Sequence, residues 1–149
     1  AATIPVSMES TLKNGISKPV ASFVIPLCAT IHLSGSMIKL TLYAFAIVYM
    51  ANLDISTSTG LGFIFLLGIM MIAAPGVPGG AVMVAAGLLA DMMGFDDGMV
   101  ALMIAAYIAI DSVGTAANVT GDGAIAMIVD KFAGSKKDHT EEESAEATA

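Results

Sequence analysis

Between Pro19 and Ile110 the chain carries five formal charges, Lys39, Asp54, Asp91, Asp96 and Asp97. A water-soluble domain needs polar surface along its whole length, and about a quarter of its residues are charged. Here the fraction is 13%, against 56% hydrophobic residues in a chain of 149. This pattern excludes an ordinary soluble enzyme or binding domain and points to an all-α membrane protein with several spans. The length allows one domain. All six basic residues are Lys, so no Arg-bearing basic face exists to bind nucleic acid. The net charge is −7, and Glu141, Glu142, Glu143 and Glu146 place much of it near the end of the chain. Cys28, the single cysteine, lies in an apolar run and forms no internal disulfide. No charged leader precedes an apolar core, so no signal peptide is expected.

A membrane-crossing helix needs about 20 apolar residues. The stretch from Val20 to Met50 exceeds one such span, and its middle holds His32, Ser34, Gly35 and Ser36. A straight helix would strand these polar groups at mid-membrane. The sequence therefore predicts a broken span, two half-helices with an unwound joint over Thr30 to Ser36. The next apolar runs, Gly60 to Ala74 and Ala81 to Phe95, are too short to cross. They flank Pro75-Gly-Val-Pro-Gly-Gly80, which no regular helix tolerates. Short arms around a Pro/Gly tip predict a re-entrant helical hairpin. Asp96-Asp97-Gly98 predicts a helix start, and Met99 to Phe132 is long enough for the last span. Within it, Asp111, Thr115, Asn118 and Asp122 are spaced 4, 3 and 4 apart, which puts them on one stripe. Two carboxylates on one face of a membrane helix must meet protein, water or a cation, which makes the stripe a site by default. Residues 135–149 lack apolar periodicity and are expected to be a disordered acidic tail.

These motifs resemble the dicarboxylate/amino acid:cation symporter family, the glutamate transporter family. The resemblance rests on Ser22-Phe-Val-Ile-Pro-Leu-Cys-Ala-Thr-Ile-His-Leu-Ser-Gly-Ser36, on Gly76-Val-Pro-Gly-Gly80, and on Asp111 followed seven residues later by Asn118-Val-Thr-Gly-Asp122. It covers residues 1–134, which look like the C-terminal part of the transport domain: a hairpin arm, the broken span, the second re-entrant hairpin and the last span. It implies upstream scaffold spans and a homotrimer for the full-length protein. It also implies a small-molecule amino-acid substrate and Na+ as coupling ion, with no organic cofactor. Position by position, Asp111 would bind the substrate amino group, while Thr115 and Asn118 would help hold its carboxylate. The Val77, Pro78 and Gly79 tip would gate the site. Asp122, with Asn118, would serve sodium. Oxygens near Cys28, Thr30, His32, Leu33, Met71, Ile72 and Ala74 would complete its ligands, as a hard cation requires.

The departures from the family pattern sharpen the expectation. Members that carry acidic substrates have an arginine three residues after the position of Asp111, where this chain has Gly114. A second substrate carboxylate would lack its bidentate partner. A neutral amino acid, or another substrate without an acidic side chain, is therefore expected. The family's NMDGT motif reads His32-Leu-Ser-Gly-Ser36, so Ser34 replaces a charged sodium ligand and His32 replaces an asparagine. Proton coupling (H+) through His32 becomes an alternative to sodium at one site. Lys39 has two readings. Its charge could stand in for the missing sodium or arginine, or its stem could snorkel to the interface.

A plasma (inner) membrane, multi-pass location is expected, with Lys136 and Lys137 favouring a cytoplasmic C-terminus. A non-transporting membrane subunit or ion channel is the competing class. Enzymatic activity is not expected, because His32, Ser34, Ser36 and Asp111 lack a nucleophile-elbow context.

Overall fold

The computed structural model describes residues 2–146, with side chains to residue 133. The tail expected over 135–149 lies outside the fully described part. Seven helices follow one another: α1 (Ile4–Lys13), α2 (Lys18–Ile31), α3 (Ser34–Met50), α4 (Thr57–Met71), α5 (Gly80–Met93), α6 (Asp97–Ala109) and α7 (Asp111–Glu146). The described residues contain no strand.

Local chemistry sets most boundaries. Pro5 and Pro19 sit in the first turns of α1 and α2, where a missing N–H costs nothing. Ser56 accepts from the Thr59 N–H, and Asp96 from the Met99 N–H at 2.8 Å, capping α4 and α6. Gly79 at φ +76° makes the left-handed turn into α5, a conformation that other residues resist. The helices α4 and α5 pack against each other across the Ile72–Gly79 connection.

Two apolar cores result. Leu40, Phe63, Leu67, Val82, Leu89 and Met103 belong to one that joins α3, α4, α5 and α6. The other, with Ala21, Val24, Ile25, Cys28 and Ala126, joins α2 to α7. Helix α7 packs along both α2 and α3 and so borders both cores.

Two breaks differ from expectation. The joint is narrower than Thr30 to Ser36, because only His32 and Leu33 lie between α2 and α3. Ser34, Gly35 and Ser36 form the first turn of α3, where the Gly35 N–H is satisfied by the Asn118 Oδ1 at 2.8 Å. Together α2 and α3 make a 33-residue stretch, Lys18–Met50, long and apolar enough to cross a membrane. The second difference is a correction. Met99 to Phe132 is not one straight span, since α6 and α7 meet at Ile110 with a bend of 61°. The cause is tertiary: carbonyl groups released at the end of α6 are taken by Lys39. The stripe of Asp111, Thr115, Asn118 and Asp122 survives intact, because it begins with the first residue of α7.

The α3–α7 contact has almost no slack. A Cβ added at Gly35 would lie 2.5 Å from the Gly114 carbonyl oxygen and 2.7 Å from the Ala117 Cβ. Gly35→Ala should therefore destabilise the fold by about 1–3 kcal/mol through overpacking. Thermal unfolding in detergent should register this as a lower midpoint than in the parent chain.

Candidate functional site

At the seam between the two cores α7 turns its polar stripe toward the α2–α3 joint. Asp111, Thr115, Asn118 and Asp122 line one cavity of about 200 Å³ together with His32 and Leu33 from the joint. The Pro75 to Pro78 segment, between α4 and α5, closes another side. Residues far apart in sequence thus converge on one space. Ala29, Ser36, Tyr107 and Val119 complete much of the lining.

Each polar group has a specific partner. The His32 Nδ1 lies 2.8 Å from Asp122 Oδ1, and only 5% of the Asp122 side chain is exposed. The imidazole packs so tightly on Gly121 that a Cβ there would collide with its ring. Asn118 bridges α7 to the start of α3: its Oδ1 accepts from Gly35 N–H, and its Nδ2 donates to Ser36 Oγ at 3.2 Å. Asn118 thereby acts as an N-terminal cap supplied by a distant helix. The Thr115 hydroxyl donates to the Asp111 carbonyl oxygen at 3.2 Å, which leaves its oxygen available as an acceptor.

Lys39 overturns the snorkelling reading. Its side chain is 7% exposed and runs inward, not to an interface. The ammonium donates to Tyr107 O at 3.2 Å, Ile110 O at 3.3 Å and Asp111 Oδ1 at 3.1 Å. It also lies 3.6 Å from the centre of the Tyr107 ring, a cation–π contact. A cation at the carbonyl end of α6 is electrostatically favoured as well. Nζ would stand 3.3 Å from a Cβ at Gly114, so Lys39 fills the volume beside that position.

Other expected residues stand apart from the cavity. Gly114 is buried at the α3–α7 contact, and Gly79 is buried beneath the loop that Val77 and Pro78 present. Cys28 belongs to the α2–α7 core, and Met71 to the other core. Thr30 is exposed and donates back to the Leu27 carbonyl oxygen. Ile72 and Ser34 are exposed, and Ala74 packs against the larger core. Tyr107 and Ser36 went unassigned from sequence. Tyr107 lies four residues before Asp111, so extending the stripe by one turn would have pointed to it, whereas Ser36 on the other segment carries no such signal.

The donor chemistry suits a hard cation better than a transition metal. No group of three or more His, Cys, Asp or Glu among the described residues could hold a metal. Asp122 shares the cavity with Ala29 and His32, whose carbonyls receive no backbone N–H among the described residues. One carboxylate with unengaged carbonyl oxygens fits an alkali cation.

The sequence model of the sodium:dicarboxylate symporter family matches residues 1–132. No solved structure matches the chain.

Asn118→Leu would leave the Gly35 N–H and the Ser36 hydroxyl without their partner in a buried position. A loss of about 1–3 kcal/mol is expected. Thr120→Ala, on an exposed face of the same helix, should stay within about 0.5 kcal/mol of the parent. Unfolding midpoints of the two variants, measured side by side, check the contrast.

Proposed function

The chain belongs to the sodium:dicarboxylate symporter family, and on that premise we propose that it forms the substrate- and ion-binding core of a sodium-coupled symporter for a small neutral amino acid. The observation that carries the reading is the single cavity where the α7 stripe, the α2–α3 joint and the Pro75–Pro78 loop meet. Such a cavity, enclosed by broken helices, is how transporters expose backbone polar groups to a substrate.

In this reading Asp111 faces the substrate's amino end. Ser36 and Asn118 offer donors to its carboxylate. Ser36 Oγ accepts from Asn118 Nδ2, which orients its hydroxyl at the cavity wall. The absence of Arg from the chain, with Gly114 at the position beside Lys39, favours a substrate without an acidic side chain. The Ile72–Gly79 loop and its two short helices would act as a re-entrant gate. Asp122, with the carbonyls of Ala29 and His32, would hold the coupling ion, which supplies positive charge next to the substrate. Proton coupling is the alternative reading, and it rests on the 2.8 Å contact of His32 with Asp122.

The outer faces suit lipid. Phe23, Ile38, Leu42, Phe65 and Phe132 are each 60% exposed or more. Large apolar side chains in such numbers have no soluble explanation except a further partner. We read the chain as part of a multi-pass plasma (inner) membrane protein, a reading these faces support, with the Lys136-Lys137 pair favouring a cytoplasmic C-terminus. A homotrimeric assembly around scaffold spans comes from the family resemblance.

Binding of labelled alanine to the purified chain, in sodium and with sodium replaced by choline, tests the proposal. Saturable, sodium-dependent binding is expected. Asp122→Asn should weaken the apparent affinity for sodium roughly a thousandfold, the scale of one unit charge at about 4 Å and an effective dielectric constant near 20. Sodium-independent binding would sink the reading. Unchanged sodium dependence together with indifference to pH in His32→Asn would eliminate proton coupling.

A further inference from the structure

Lys39 is a buried ammonium inside a site expected to bind an ammonium. All three of its N–H groups have partners: the carbonyl oxygens of Tyr107 and Ile110 and the Oδ1 of Asp111. Its positive face is covered by the Tyr107 ring. It is not among the cavity-lining residues, whereas Asp111 is, with 28% of its side chain exposed. Lys39 therefore has no donor left for a substrate, and it acts on the cavity only through Asp111.

That action has a definite sign. A lone carboxylate in a partly desolvated cavity would strongly favour an incoming ammonium. Here the carboxylate already forms a contact ion pair. A substrate ammonium on the cavity side of Asp111 would sit about 6 Å from Nζ. At an effective dielectric constant near 20, the repulsion cancels roughly a hundredfold of the attraction. Lys39 cannot easily withdraw to relieve this, since it also holds the end of α6 and the bend at Ile110. The donors that remain on the cavity wall, from Ser36 and Asn118, suit a carboxylate, and a carboxylate does not need Asp111.

We propose that Lys39 is a specificity-determining residue that makes the substrate's amino group dispensable, so that the site accepts small monocarboxylates bearing a hydroxyl in place of the ammonium. The proposal rests on the transport reading above and redefines its substrate class: the carboxylate is the obligatory group and the amine is not. Lys39 is a positioning residue in this scheme, because it reaches the ligand only through Asp111.

The test uses an isosteric pair, alanine and lactate, which share a carboxylate and a methyl group and differ in ammonium against hydroxyl. Equilibrium binding of each in saturating sodium gives a ratio of affinities, and that ratio is insensitive to how much of the protein is folded. In the parent chain lactate should bind within about tenfold of alanine. In Lys39→Met, where Asp111 is unpaired, the ratio should move toward alanine by roughly a hundredfold. A parent chain that prefers alanine by more than about tenfold overturns the inference while leaving the transport reading standing. A Lys39→Met ratio equal to the parent's also overturns it. If neither probe binds in a sodium-dependent way, the transport reading fails and the inference falls with it. Should Lys39→Met not fold, the parent ratio alone decides.

Discussion

A helix interrupted inside a membrane leaves backbone N–H and C=O groups that no water is present to satisfy. At three interruptions among the described residues the answer comes from another helix, while the Ala29 and His32 carbonyls at the α2–α3 joint receive no backbone N–H. Asn118 of α7 supplies the acceptor for the first turn of α3. Lys39 of α3 takes the carbonyls at the end of α6. Asp130 of α7 accepts from the backbone N–H and hydroxyl of Ser17, just before α2. The breaks and the side chains that heal them form one reciprocal arrangement, with α3 and α7 at its centre. Removing one partner exposes an orphan group on a different helix.

This accounts for where the polar residues lie. The two apolar cores fill the volumes on either side of α7, and neither contains a charged side chain. The charges withdraw to the seam between them, where broken helix ends offer partners. Lys39 and Asp111 neutralise each other there, while His32 and Asp122 form a second contact about three turns of α7 away. The cavity is what remains when these pairs are formed and the loop after α4 is laid against them. Binding chemistry and helix termination thus draw on the same few groups.

Much of this was legible in the sequence. The joint near His32, the Pro/Gly connection and the stripe from Asp111 to Asp122 all announce themselves through local chemistry: polar groups in an apolar run, residues that forbid helix, a fixed spacing. The bend at Ile110 does not. Tyr107-Ile-Ala-Ile-Asp111 contains no breaker, and the interruption depends on a cation delivered from 70 residues away in sequence. The direction of Lys39 was equally hidden, because a four-carbon stem on a helix reaches outward or inward with equal ease. Several expected oxygen donors, among them Thr30 and Met71, are on the right segments but face solvent or core. A resemblance assigns them by position, and only the packing of α2 and α4 decides which way each residue looks.

The close approach of Gly35 to Gly114 and Ala117 bears on how a ligand could ever reach the cavity. Two backbones in contact behave as one beam: neither can roll or shear against the other without first being prised apart, and Asn118 and Lys39 clasp them on either side. Two walls of the cavity, those of α3 and α7, are thereby fixed relative to each other. The walls not fixed in this way are the Ala2–Thr3 end and the glycine- and proline-rich loop from Pro75 to Pro78, whose residues are all exposed, and under the proposed transport reading it is this loop that admits and releases the ligand.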